Sequence, residues 1–171
     1  LTYNRKLSQL EMPALQISQR IIFGIRPCDA RAVALLDTVF ATADNPDPYW
    51  QTRREQTILV GLGCSEPATT CFCTSVGSGP FDHAGLDALL TDLGEVYLVE
   101  TFTEHGEALF ANLASASAND AKQAGNVQQQ AEAQLEPAFT TDGLKEHLDQ
   151  IFDSHLWSEF AQSCLGCGIC T

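Results

Sequence analysis

The chain has 171 residues, 44% of them hydrophobic, which is enough for one domain with a sizeable core and too apolar for a disordered tail. Its 9 basic and 22 acidic side chains give a formal charge of −13, a surface that repels phosphate backbones and anionic headgroups, so neither nucleic acid nor a membrane surface is an expected partner. No apolar run approaches the roughly 18–20 residues that span a bilayer, and the opening "LTYNRKLSQL" has no signal-peptide core, so a soluble, cytoplasmic protein is expected.

In chain order, the segment up to about residue 20 reads as irregular with a short helical piece. "RIIFGI" (20–25) is a compact apolar run that predicts a strand covered on both faces. "RPCD" follows, with Asp29 as a candidate helix cap, and Ala30, Val33, Leu36 and Phe40 recur at helical spacing. "ADNPDPYWQTRRE" is a polar connection with room for one short helix. "QTILVGLGC" (56–64) predicts a second buried strand. "SEPATTCFCTSVGSGP" (65–80) reads as an ordered loop, and loops of that length in compact domains are commonly functional. In 83–101, a hairpin of "ALLT" and "EVYLVET" about a "DLG" turn is favoured over a helix followed by a strand. From Glu104 the pattern is helical: "TEHGEALFANLA", the Ala/Gln-rich "ANDAKQAGNVQQQAEAQLE", "TDGLKEHLDQIFDS" with Leu144, Leu148, Ile151 and Phe152 on one face, and "HLWSEFAQSC". The expected fold is α/β: a small parallel or mixed sheet with flanking helices, then a helical C-terminal part. The expected division is 1–103 as the α/β body, 104–163 as the helical part, and 164–171 as the start of a further module.

Seven cysteines without a secretion signal argue against a disulfide framework and for metal or redox chemistry. They fall into two groups. Cys28 and Cys64 each follow a predicted strand. If those strands are parallel neighbours, about 4.8 Å apart, both residues rise at one sheet edge, where open α/β sheets place their sites. Cys71 and Cys73, two apart in a loop taken as extended, would point to the same side. Metal or cluster ligation, redox-active thiols and plain packing all remain open for this group, because free cysteine is often simply buried. The glycines of "SVGSGP" fit turns or a close approach of backbone to a ligand. They do not form a phosphate loop, and no Gly-x-Gly-x-x-Gly follows either strand, which leaves little room for a dinucleotide site.

The second group, Cys164, Cys167 and Cys170 in "CLGCGICT", has the first three members of the Cys-x2-Cys-x2-Cys-x3-Cys-Pro run that binds a [4Fe–4S] cluster. Gly166 and Gly168 suit the tight wrap such a loop needs. Zinc sites use paired knuckles rather than a triplet. The fourth cysteine of the run is missing, so the chain reads as cut inside the motif, and the cluster is expected to be absent or incomplete on this chain. His83, His105, His147 and His155 form no triad or metal pattern.

"FGIRPCDARAVALLDTVF", "DPYWQTRREQTILVGLGCSEPATTCFCTSVGSGPFD", "LLTDLGEVYLVE" and the closing "CLGCGICT" together resemble the iron–sulfur β-subunit family of cytosolic nickel–iron (sulf)hydrogenases and anaerobic sulfite reductases. The resemblance implies an electron-transfer subunit, non-catalytic in itself, with two [4Fe–4S] clusters. It would relay electrons between a flavin/NAD(P)-binding subunit and a catalytic subunit. Carried over, Cys164, Cys167 and Cys170 match the first cluster motif, and Cys28, Cys64, Cys71 and Cys73 match the family's other cysteine positions. This chain departs from the family in extent, since it lacks an N-terminal segment and most of the ferredoxin-like region. The competing reading is a thiol-redox or metal-binding catalyst using Cys28, Cys64, Cys71 and Cys73.

Overall fold

The structure is a computed structural model that describes residues 2–11 and 18–166. The centre of the molecule is a four-stranded sheet in the order β3-β4-β5-β6: β3 (Arg20–Ile25), β4 (Thr57–Leu62), β5 (Ala88–Asp92) and β6 (Tyr97–Thr101). β3, β4 and β5 run parallel and β6 is antiparallel to β5, so the expected α/β class with a mixed sheet is what forms. The favoured hairpin is present. Asp92 accepts from the Gly94 N–H at 2.8 Å, Gly94 has a φ of 94°, and Leu93 N–H donates to Val96 O at 2.9 Å, so "DLG" opens the turn as read.

The first helix, α1 (Pro27–Phe40), crosses from β3 to β4, followed by α2 (Pro48–Glu55). α1 starts differently from expectation. Asp29 is not its cap: Arg26 holds the cap position without a side-chain bond, and Pro27 opens the helix. Proline there has its φ preset and needs no N–H partner, which makes a carboxylate cap dispensable. Asp29 instead lies in the first turn, where its charge favours the helix dipole. Asp47 does cap α2, accepting from the N–H groups of Tyr49 and Trp50 at 2.8 and 3.0 Å.

The core lies between α1 and the sheet: Ala30, Leu59, Leu86 and Leu89 are buried, with Ile25, Val33 and Phe81 packed around them. β4 is one of the two inner strands, and its Leu59 and Val60 are shut off from solvent. β3 is not covered on both faces. It is the sheet edge, and Ile21, Ile22 and Phe23 are 50%, 44% and 69% exposed. An apolar run reports affinity for burial but not whether a neighbour stands on each side. The opening segment also differs, since β1 (Thr2–Asn4) and β2 (Gln9–Glu11) form a small antiparallel hairpin where irregular chain was expected.

Asp87 ties the strands together just before β5. Its carboxylate accepts from Leu59 N–H at 2.8 Å and from the Thr103 hydroxyl at 2.6 Å. Its backbone N–H donates to Leu59 O, and its carbonyl accepts from Phe102 N–H, both at 2.9 Å. After β6 come α3 (Glu104–Phe110), α4 (Ala118–Glu132), α5 (Leu144–Gln150) and α6 (Leu156–Gln162). α3 packs against β4 and β6, and α4 against β5 and β6. A capping box of Ser117 and Asp120 starts α4, and Ala124 and Ala131 bury its inner face. α5 and α6 have no buried residue. No helix among the described residues is long and apolar enough to cross a membrane.

Candidate functional site

The parallel pairing of β3 with β4 puts their carboxyl ends side by side. Arg26 fastens the two ends: its Nη1 donates to Gly63 O at 2.9 Å and to Leu62 O at 3.3 Å. Cys28, in the first turn of α1, and Cys64, which follows β4, thus rise at the same edge of the sheet. The loop after Cys64 returns past the same edge and is pinned at both ends. Cys64 N–H donates to Pro80 O, and Ser78 N–H to Cys73 O, each at 2.9 Å. Between them, Cys73–Val76 forms a single 3-10 turn closed by Gly77 at a φ of 70°. The loop therefore turns at Cys73 rather than running extended from Cys71, yet both thiols still reach the same place.

That place is one cavity of about 660 Å³, lined by Cys28, Cys64, Cys71 and Cys73 together with Arg26 and Arg31. Pro27, Pro67, Phe72, Val76 and Pro80 make much of the remaining wall, and Leu135, from beyond the end of α4, completes it. All four cysteines line this one cavity, which the parallel β-helix-β crossover sets at the carboxyl edge of the sheet. They do not close on a point: among the described residues no three Cys, His, Asp or Glu side chains are arranged to hold a metal ion. Cys28, Cys64, Cys71 and Cys73 are all free thiols.

Burial pushes the Cys28 thiol above its ordinary range, and the neighbouring Asp29 carboxylate and Cys73 push the same way. Burial also raises Cys64. Arg26 opposes that shift, while Cys71 and Cys73 add to it. Each of the two thiols senses another cysteine of the group.

The second basic residue braces the loop. Arg31 donates from Nη1 to Gly77 O at 2.6 Å and from Nη2 to Val76 O at 2.8 Å, and it pairs with Asp82 at 3.6 Å. Partial burial alone would raise the Asp82 carboxyl. The Ser78 hydroxyl, the Ala84 N–H and the Arg31 guanidinium outweigh it and hold the carboxyl below its usual range. On the far side, Ser75 Oγ accepts from the N–H groups of Ala138 and Phe139 at 2.8 and 3.2 Å, and the rings of Phe72 and Phe139 lie 5.9 Å apart. Sequence reasoning did not single out Arg26, Arg31, Ser75 or Leu135. The two arginines flank the cysteine in "RPCDAR" and could have been read as its charge partners. Nothing local marks Ser75 or Leu135, whose roles come from contacts across the chain.

Of the C-terminal motif, Cys164 is described and exposed, and Gly166 N–H donates to its Sγ at 3.4 Å with Gly166 at a φ of 67°. This local turn, with an N–H aimed at a cysteine sulfur, is of the kind an iron–sulfur loop needs. Cys167 and Cys170 lie outside the described residues. Cys164 does not line the four-thiol cavity. His83 stacks on Phe102, with ring centroids 4.6 Å apart, and His155 pairs with Glu159 at 3.5 Å.

No family model matches the chain, and no solved structure matches it. The chain is similar to Sulfhydrogenase 2 subunit beta of Pyrococcus furiosus, 31% identical over 155 residues. The alignment takes in 88% of this chain and 46% of that protein, so the chain spans less than half the length of the curated relative it matches.

Proposed function

We propose that the chain is the sheet-bearing part of an electron-transfer iron–sulfur subunit in an oxidoreductase complex of hydrogenase or sulfite/sulfur reductase type. The similarity to a sulfhydrogenase β-subunit carries this reading, because it runs through nearly the whole chain. The Cys164, Cys167 and Cys170 spacing supports it independently. A [4Fe–4S] cluster supplies a one-electron relay. The chain's own part is to present thiolates at fixed positions and to orient them with backbone N–H groups, as Gly166 does for Cys164. The partners are a flavin/NAD(P)-binding subunit and a catalytic subunit, and the chain itself carries no substrate chemistry. The acidic surface suits association with basic protein patches.

The test is iron and sulfide analysis with EPR on protein purified without oxygen from its native source. Reduced [4Fe–4S] signals that weaken when Cys164, Cys167 and Cys170 are replaced by serine are the expected result. Protein that stays iron-free after anaerobic reconstitution overturns the reading. The second reading, a thiol-redox or metal-binding catalyst at Cys28, Cys64, Cys71 and Cys73, draws on their shared cavity. It predicts turnover of a thiol or disulfide substrate by the isolated chain.

A further inference from the structure

We propose that Cys28, Cys64, Cys71 and Cys73 are the ligands of a [4Fe–4S] cluster seated in the cavity at the sheet edge, separate from the C-terminal cysteine motif. Four thiols from three separated stretches of chain line this single space, and a [4Fe–4S] cube takes four thiolates. A structural zinc ion draws its four thiolates to about 2.3 Å from one centre, so at least three of them would stand clustered. No such clustering occurs among the described residues. Thiolates on the corners of an iron–sulfur cube stand farther apart, around an object with its own volume, and a cavity of about 660 Å³ has room for it.

Charge and solvation point the same way. An oxidised cube with four thiolates carries two negative charges, and the guanidiniums of Arg26 and Arg31 line the same cavity, set against the single carboxylate of Asp29. Both guanidiniums are held by backbone carbonyls, Arg26 by Leu62 and Gly63 and Arg31 by Val76 and Gly77, so their charges are fixed at the rim. The apolar wall of Pro27, Pro67, Phe72, Val76, Pro80 and Leu135 gives the partly dry shell that stabilises such a centre. Loading is ligand exchange. Each cysteine gives its proton to a departing small-molecule thiolate as one iron–sulfur bond replaces another, with no net electron transfer.

This inference does not rest on the relay at the C-terminal motif, and the experiment separates the two. The full chain with Cys164, Cys167 and Cys170 all changed to serine is treated anaerobically with a preformed [4Fe–4S] cluster carrying four small thiolates, then desalted. Iron per chain, visible absorption and EPR after dithionite are read. One cluster's iron retained per chain is expected, falling to background on adding Cys64→Ser or Cys73→Ser, with circular dichroism checking that each variant is folded. Cys28→Ser, at an exposed position, is the variant least able to disturb folding, and it is expected to shift the EPR signal or lose it. No iron retained by the folded triple-serine chain overturns the proposal, as does retention that ignores all of Cys28, Cys64, Cys71 and Cys73. Stoichiometric zinc uptake in place of the cluster also overturns it. A triple-serine chain that binds no cluster beside an unsubstituted chain that binds one leaves the C-terminal relay standing alone.

Discussion

Two aspartates hold the site in place by different means. Asp87 is 7% exposed and serves β4, β5 and the start of α3 at once. Asp87→Ala strands the Leu59 N–H in the core and is expected to cost about 2–4 kcal/mol, read as a lower urea midpoint with an unchanged slope. Asp82 works at the surface, beside Arg31 and Ser78. Its carboxyl is held below the usual range, so its contribution is present above the unfolded carboxylate value, near 3.9, and is lost as pH falls through the lower folded value. Asp82→Asn is therefore expected to be less stable than wild type at neutral pH by at most about 1 kcal/mol, given its partial exposure, and the gap should narrow in acid as the pH falls through the lowered folded value. Urea titrations at neutral and acidic pH check this. Neither role was legible in the sequence. Asp82 and Asp87 both sit among turn-like residues, and only their distant partners distinguish them from ordinary loop acids.

Elements with a strong local pattern came through where they were read: α1, β4, the β5–β6 hairpin and the run of helices after Glu104. The failures share a cause. β3 shows the composition of a central strand but stands at the edge, because the number of neighbours is decided by topology rather than by its own residues. The placement of Cys28 and Cys64 at one sheet edge was legible because a parallel crossover fixes where strand ends go, whereas the turn at Cys73, the arginine clamps and the Leu135 wall required the folded chain. Two glycines show how context sets the sign of one substitution. A Cβ on Gly106 would run into the carbonyl of Asp87, backbone that cannot give way, whereas Gly125 in α4 faces open space. Gly106→Ala is expected to destabilise by about 1–3 kcal/mol through overpacking. Gly125→Ala should stabilise by roughly 0.5–1 kcal/mol by removing backbone freedom within a helix. Thermal melts of the two variants should move in opposite directions.

Stability is spread unevenly over the molecule. The buried residues concentrate in β4, β5 and the faces of α1 and α4, while α5 and α6 keep every residue at least partly open to solvent. Hydrogen exchange should find the amides of Leu59, Val60, Leu89 and Leu90 opening only with global unfolding, and those of α5 and α6 opening locally at far lower free energy. Equal protection across both regions would contradict this division.

The tether from Ser75 to Ala138 bridges 63 residues of chain. Contacts of that separation form late, since the intervening loop must be closed before the bond repays it. The wall that Leu135 adds to the thiol cavity is therefore expected to close after the sheet has assembled. During synthesis the cysteines of the loop emerge well before the segment that covers them. For that interval they stand open to solvent and to whatever oxidises thiols, and the order of folding sets how long that exposure lasts.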